Sequence, residues 1–200
     1  MNGGTVNHCK NKAQIKATTQ DCDYLGGILG FNEDGYIKDC VNEGEIIGNN
    51  QIEGIAGEND GFDGHGYIER CINLGNIKGN EIVGGIAGEN HRTASIINCE
   101  NIGNITGNEY AGGISGAAGV LEKDKKEIRY CINIGKIECN SYGNAIVGAL
   151  YAASSGVITA QWVKSGNNWY YVDANGKMVT GDYAINEVVY RFDANGVWLG

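Results

Sequence analysis

The chain contains no proline, and no stretch approaches the roughly 18 consecutive apolar residues of a membrane span. Glycine is abundant instead, at 33 of 200 residues, but without the every-third-residue period of collagen. Interleaved Ile and Val argue against simple disorder, and a 42% hydrophobic content is enough for a core. Only three histidines occur, His8, His65 and His91, and none lies in a Ser/His/Asp or Cys/His setting. There is no His-Glu-x-x-His, Gly-x-Ser-x-Gly or phosphate-loop motif. The seven cysteines include no Cys-x-x-Cys, so a zinc knuckle is unsupported. Catalytic residues, metal ligands and cofactors are therefore not assigned.

Bases are also scarce. The 24 acids outnumber 15 Lys and Arg, for a formal charge of −9. Residues 157–200 hold four acids and three bases, so the excess acid sits upstream. A surface of that sign repels phosphate backbones and excludes nucleic acid as a partner. Met1 is followed directly by Asn-Gly-Gly with no signal peptide, and the first repeat begins halfway through its unit. The chain is read as an excised part of something longer rather than a cytoplasmic protein.

What is present is a repeat. Cys9, Cys40, Cys71, Cys99 and Cys131 each open the pattern Cys-x-Asn-x-Gly-x-Ile, with Ala13 in place of Gly in the first copy. Their spacings of 31, 31, 28 and 32 are those of a solenoid or repeat array. Val6, Ile37, Ile68, Ile96 and Ile128 stand three residues before the cysteines. Ile55, Ile86, Ile114 and Ile146 follow in small-residue settings such as Gly84-Gly85-Ile86-Ala87-Gly88, with Ile28 as the first equivalent. Cys, Asn, Gly and Ile two residues apart give strand periodicity with one face on a core. The Ile three before each Cys breaks that parity and predicts a corner. Each unit is expected to be one coil of two or three short strands, stacked so that identical residues form ladders. The ladder cysteines are expected to act as small buried hydrophobes, with Cys22 and Cys139 off the ladder. The ladder asparagines are expected to bond backbone groups at a corner.

One connection varies in length, from Gly30 to Ile37, Gly57 to Ile68, Gly88 to Ile96 and Gly116 to Ile128. It carries Asp60, Phe62, Asp63, His65, His91, Arg92 and the charged run 122–127. Insertions on one solenoid edge either bind or are tolerated drift. Asn59 to His65 faintly suggests a calcium loop but lacks the EF-hand spacing and trailing Glu.

The repeat unit resembles the GLUG-type repeat, over roughly residues 3–150. That resemblance implies a bacterial surface protein and says little about activity.

At Ser154-Ser155-Gly156 the composition shifts, and all three tryptophans lie beyond it. Trp162-x(6)-Trp169-Tyr170-Tyr171, followed by Asn175-Gly176, Met178 and Gly181, is similar to the cell-wall-binding (choline-binding) repeat. A weaker copy runs from Val189 to Gly196, with Val189 in place of Trp169 and Arg191 in place of the second Tyr. Asn175-Gly176 and Asn195-Gly196 are preferred hairpin turns, and Ser165-Gly166-Asn167 marks another. The resemblance implies stacked hairpins and an aromatic cage for the choline of teichoic acids, or a sugar site as in related repeats. By motif position the ligand-binding residues are Trp162, Trp169, Met178, Tyr183 and Tyr190. Aromatic faces suit a quaternary ammonium, which donates no ordinary hydrogen bond.

The sequence thus predicts an all-β protein: a β-solenoid of about five stacked coils over residues 1–153, then a hairpin repeat module over 154–200. The expected role is non-catalytic, secreted and cell-wall associated: an adhesion or display solenoid with a wall-attachment module. The expected partners are choline of teichoic acid or a cell-wall or host glycan, with a host surface protein as a further candidate. Three alternatives stand beside it: the accessory region of a secreted hydrolase or protease, a carbohydrate-active solenoid, and a tail that only caps the solenoid.

Overall fold

A computed structural model describes residues 3–19, 22–119, 128–150, 161–165, 167–173 and 178–200. The described residues form strands, turns and bends, with no helix. The described residues between 3 and 150 build five stacked tiers. The second tier shows the plan: strands Tyr36–Lys38, Val41–Asn42, Ile46–Ile47, Ile52–Glu53 and Ala56–Gly61. Each strand pairs in parallel with its counterparts in adjacent tiers, giving five sheets of five strands. A tier thus holds five short strands where two or three were expected. The extra strands arise because the run Cys-x-Asn-x-Gly-x-Ile, continuous in periodicity, is broken into two strands, as between Asn42 and Ile46. The residues before the ladder cysteines are left-handed: His8, Asp39, Arg70, Asn98 and Tyr130 have φ between 51° and 55°. They make the corner that the parity break predicts.

Register places like over like. Ile37 pairs with Val6 and Ile68, and Ile77 with Ile46 and Ile105. The twelve largest fully buried side chains are all isoleucine. Burial of each contributes about 1.5–3 kcal/mol, so these ladders are the main source of cohesion between tiers. Two cores result. One joins Ile37, Cys40, Ile55 and Ile86 with their stacked equivalents. The other joins Ile46, Ile52, Ile77, Val83, Ile105 and Ala111.

Cys40, Cys71, Cys99 and Cys131 are buried thiols, and each Sγ donates to the carbonyl two residues before it, at 3.2–3.4 Å. Burial pushes the Cys40 thiol up to about 11 and that of Cys99 well above its usual value. Cys9 departs from the expectation. It is exposed, because the first tier has a neighbour on one side only.

The asparagines form a continuous chain. Asn11, Asn42, Asn73 and Asn101 each donate through Nδ2 to Oδ1 of the next, at 2.6–2.8 Å, ending at Asn133. Each also donates to the carbonyl two residues on, as Asn73 does to Gly75 at 2.8 Å. The ladder explains a second repeat position. A Cβ on Gly85 would lie 2.5 Å from Asn101 Cγ, and Gly54 meets Asn73 in the same way at 2.4 Å. A second ladder went unseen in the sequence: Asn32 donates to Asn59 and Asn59 to Asn90, at 2.7 and 2.8 Å. It ends where Ala118 takes the position of Asn90.

The variable edge is partly knitted together. Asp60 pairs with Arg92, whose guanidinium lies 4.9 Å from the Phe62 ring centroid. The Asp63 amide donates to Asp34 at 2.8 Å. Asn59 and Asp60, which open the stretch to His65 that suggested a calcium loop, are thus engaged in the ladder and an ion pair. The charged run 122–127, and the boundary at Ser154-Ser155-Gly156, lie outside the described residues.

Two antiparallel hairpins follow: Gln161–Ser165 with Asn168–Val172, and Gly181–Ile185 with Val188–Phe192. The second turns at Asn186 and Glu187, with φ of 50° and 68°. This left-handed pair is the backbone of a type I′ turn. Asn195-Gly196 forms the next turn, bringing Trp198 back to bridge Phe192. Gly166 and Asn175-Gly176 lie outside the described residues.

Candidate ligand-binding site in the hairpin module

Strand alternation gives the first hairpin two faces. Val163, Tyr170 and Val172 are 1–6% exposed and join the larger solenoid core, which includes Ile132, Ile146 and Val147. The Gln161 side chain accepts from the Tyr130 amide at 3.2 Å. The opposite face carries Trp162, Lys164, Trp169 and Tyr171. The second hairpin turns Tyr183, Tyr190 and Phe192 toward it.

Trp162 is the hub of the resulting cluster. Its ring centroid lies 5.0 Å from Tyr190, 5.4 Å from Tyr171, 5.5 Å from Trp198, 5.7 Å from Phe192 and 6.5 Å from Trp169. Most of these contacts are edge-to-face, the arrangement the ring quadrupole favours. Burial and the neighbouring Tyr183 and Asp173 raise the Tyr171 phenol above its usual pKa.

The five residues singled out by motif therefore divide. Trp162, Trp169 and Tyr190 come together. Trp169 is 40% exposed, and Lys164 Nζ stands 5.6 Å from its ring centroid. Tyr183 pairs instead with Tyr171, at 6.0 Å. Met178 packs toward the solenoid core and under Gly196, where a Cβ would fall 2.7 Å from its sulfur.

Beside Tyr190 lies an open cavity of about 570 Å³, lined also by Asp182, Val189, Arg191, Trp198 and Leu199. Tyr190 and Trp198 stand 6.1 Å apart, centroid to centroid. The Arg191 guanidinium donates to Asp182 at 2.9 Å and holds that carboxyl below its usual pKa. The cavity thus offers two aromatic rings beside the Arg191–Asp182 ion pair, and the rings are the part suited to a small organic cation. Trp198 was not among the predicted site residues. Its signal was available: it follows Asn195-Gly196 as Met178 follows Asn175-Gly176, and both make the same bridge, to Phe192 and Val172 respectively.

Comparison with known proteins agrees with both resemblances. Residues 79–106 match the family model of the GLUG motif. No curated protein and no solved structure matches the chain. No helix among the described residues is long and apolar enough to cross a membrane. Residues 161–178 match the choline-binding-type cell wall binding repeat, so the chain is a surface-type repeat protein that joins a GLUG-bearing β-solenoid to a cell wall binding repeat.

Proposed function

We propose that this chain is a non-catalytic display solenoid held at the cell wall through its hairpin module, with the choline of teichoic acid as the module's ligand. The observation that carries the reading is the cavity lined by Tyr190 and Trp198 and flanked by Asp182, next to the Trp162 hub and the exposed Trp169. The non-catalytic part is supported by the solenoid's acids. One cluster of carboxylates, Glu53, Glu58 and Glu89, is 0–8% exposed, where a sugar chain finds no groove, and the more exposed Asp39 and Glu69 are both engaged by Arg70. Neither match points to a host protein as partner.

The test is a tryptophan-fluorescence titration with choline. All three tryptophans lie in the module, so the signal reports on it alone. Saturable quenching that is weakened in Trp169→Ala and Trp198→Ala, with the far-UV spectrum unchanged, supports a cation site. A flat response at millimolar choline rejects choline; a response to cell-wall glycan in the same assay would then assign a sugar site.

A second reading, that the tail is a cap, has its own support in the burial of Val163, Tyr170 and Val172 on the last tier. An open solenoid end exposes strand edges that need covering. The two roles use opposite faces of one hairpin and are compatible.

A further inference from the structure

One tier breaks the repeat. At the last position of the fourth strand of each tier, tiers one, three and four have Gly26, Gly84 and Gly112, and tier five has Asn144. A Cβ on any of these three glycines would lie 1.8–2.0 Å from a carbonyl oxygen. The second tier has Glu53 there, fully buried, with neither carboxylate oxygen receiving a hydrogen bond. Its Oε1 reaches across to the next tier, 2.0 Å from where a Cβ on Gly88 would stand. Gly88 directly precedes Glu89. Glu89 stacks in register on Glu58, and His91 lies between the two carboxylates: Nδ1 is 3.3 Å from Glu58 and Nε2 is 3.3 Å from Glu89. Ligand atoms of Glu58, Glu89 and His91 all fall within 4.8 Å of one another. The other tiers place Phe31, Ala117 and Ala149 at the Glu58 position, so the cluster is confined to tiers two and three.

We propose that Glu58, Glu89 and His91 form a binding site for one divalent first-row transition-metal ion, with the buried, unpartnered carboxylate of Glu53 completing its negative surroundings. Three carboxylates in a dry setting repel one another, and a buried carboxylate without a donor costs far more than a solvated one. A divalent ion offsets both penalties, and the imidazole selects ions such as Mn²⁺ or Zn²⁺ over Ca²⁺ and Mg²⁺. His91 is 29% exposed and gives the route of entry. The sequence carries no metal-ligand spacing at these positions; the one trace of the site is a glutamate where the repeat has glycine.

Mn²⁺ is the probe, because it binds thiols weakly and the chain has seven cysteines. The full chain is stripped with EDTA, dialysed and titrated with Mn²⁺, free ion being read by electron paramagnetic resonance. One ion per chain is expected at micromolar concentrations. Glu53→Gly, which restores the residue of the neighbouring tiers, is expected to weaken binding at least tenfold while leaving the far-UV spectrum and the choline response unchanged. His91→Gln is expected to weaken it similarly. Absence of binding below millimolar Mn²⁺ would overturn the site, as would binding by Glu53→Gly and His91→Gln equal to that of the unaltered chain. A lost choline response with intact Mn²⁺ binding would count against the module's proposed ligand and leave this site standing.

Discussion

The backbone amide of Trp198 donates a 2.7 Å hydrogen bond to the carbonyl oxygen of Trp169. This bond fastens the end of the second repeat copy to the first hairpin and sets the Trp198 ring beside Tyr190 and Trp162. Trp169 itself keeps an open face, near which the ammonium of Lys164 already stands.

Lys164 therefore acts as a tethered competitor for any cation at Trp169. An exposed cation–π contact is worth about 0.5–1 kcal/mol. Lys164→Ala is expected to tighten choline binding about two- to fivefold, read by the same fluorescence titration. Unchanged or weaker binding would mean that the Trp169 face takes no part in the site.

The asparagine ladder should be more costly to interrupt in its middle than at its end. Asn73→Ala leaves Asn101 Oδ1 without its donor and removes a donor from the Gly75 carbonyl, all in a buried setting. The expected loss is about 2–4 kcal/mol, since a buried polar group left unpaired costs its full desolvation. Asn11→Ala, at the half-exposed first tier, is expected to cost about 1 kcal/mol or less. Urea denaturation of both variants decides it; equal losses would refute a cooperative ladder.

Thiol chemistry should separate the cysteines by tier. Thiolate is the reactive form. Burial raises Cys40 to about 11 and Cys99 well above its usual value, while the Cys99 thiol and then burial raise Cys71. The thiolate fraction at Cys40 rises only as pH climbs past 10, and access to the buried thiols stays closed while the fold holds. Alkylation of native protein at pH 8 is expected to label Cys9 first, the half-buried Cys22 and Cys139 slowly, and the four ladder cysteines only after denaturation. Mass spectrometry of digested protein reads each site separately.

The cap predicts that a change in the module will weaken the solenoid. Tyr170 is 6% exposed among residues of the last tier. Tyr170→Ala is expected to cost about 2–4 kcal/mol and to speed hydrogen exchange at Ile132 and Ile146. Removal of residues 157–200 should lead to association through the uncovered end. A soluble, equally stable solenoid after that deletion would show the module to be an independent appendage.

The ladders were legible because they rest on identity at a fixed spacing: Cys, Asn and Ile recur, and each lands on its own kind. The number of strands was not, since Cys-x-Asn-x-Gly-x-Ile keeps one strand period while the chain breaks between Asn42 and Ile46 and between Asn73 and Ile77. The second asparagine ladder was hidden because Asn32, Asn59 and Asn90 end at Ala118 and sit beside the connection of variable length. In the module, the aromatic spacing located Trp162, Trp169 and Tyr190, but the partners of Met178 and Tyr183 depend on which hairpin face meets the solenoid. Glu53 was overlooked because an exception to a repeat is read as drift until its burial is seen.

The parallel ladders also have a mechanical consequence. Hydrogen bonds between tiers run along the stacking axis, so tension between the wall-binding end and the first tier pulls along those bonds instead of across them. Such loading opens ladders in sequence, one tier at a time, at low force per event. Each released tier, 28–32 residues by the cysteine spacing, would lengthen the tether by about 100 Å of extended chain. A solenoid attached in this way would work as an extensible damper between a wall and whatever is carried beyond it.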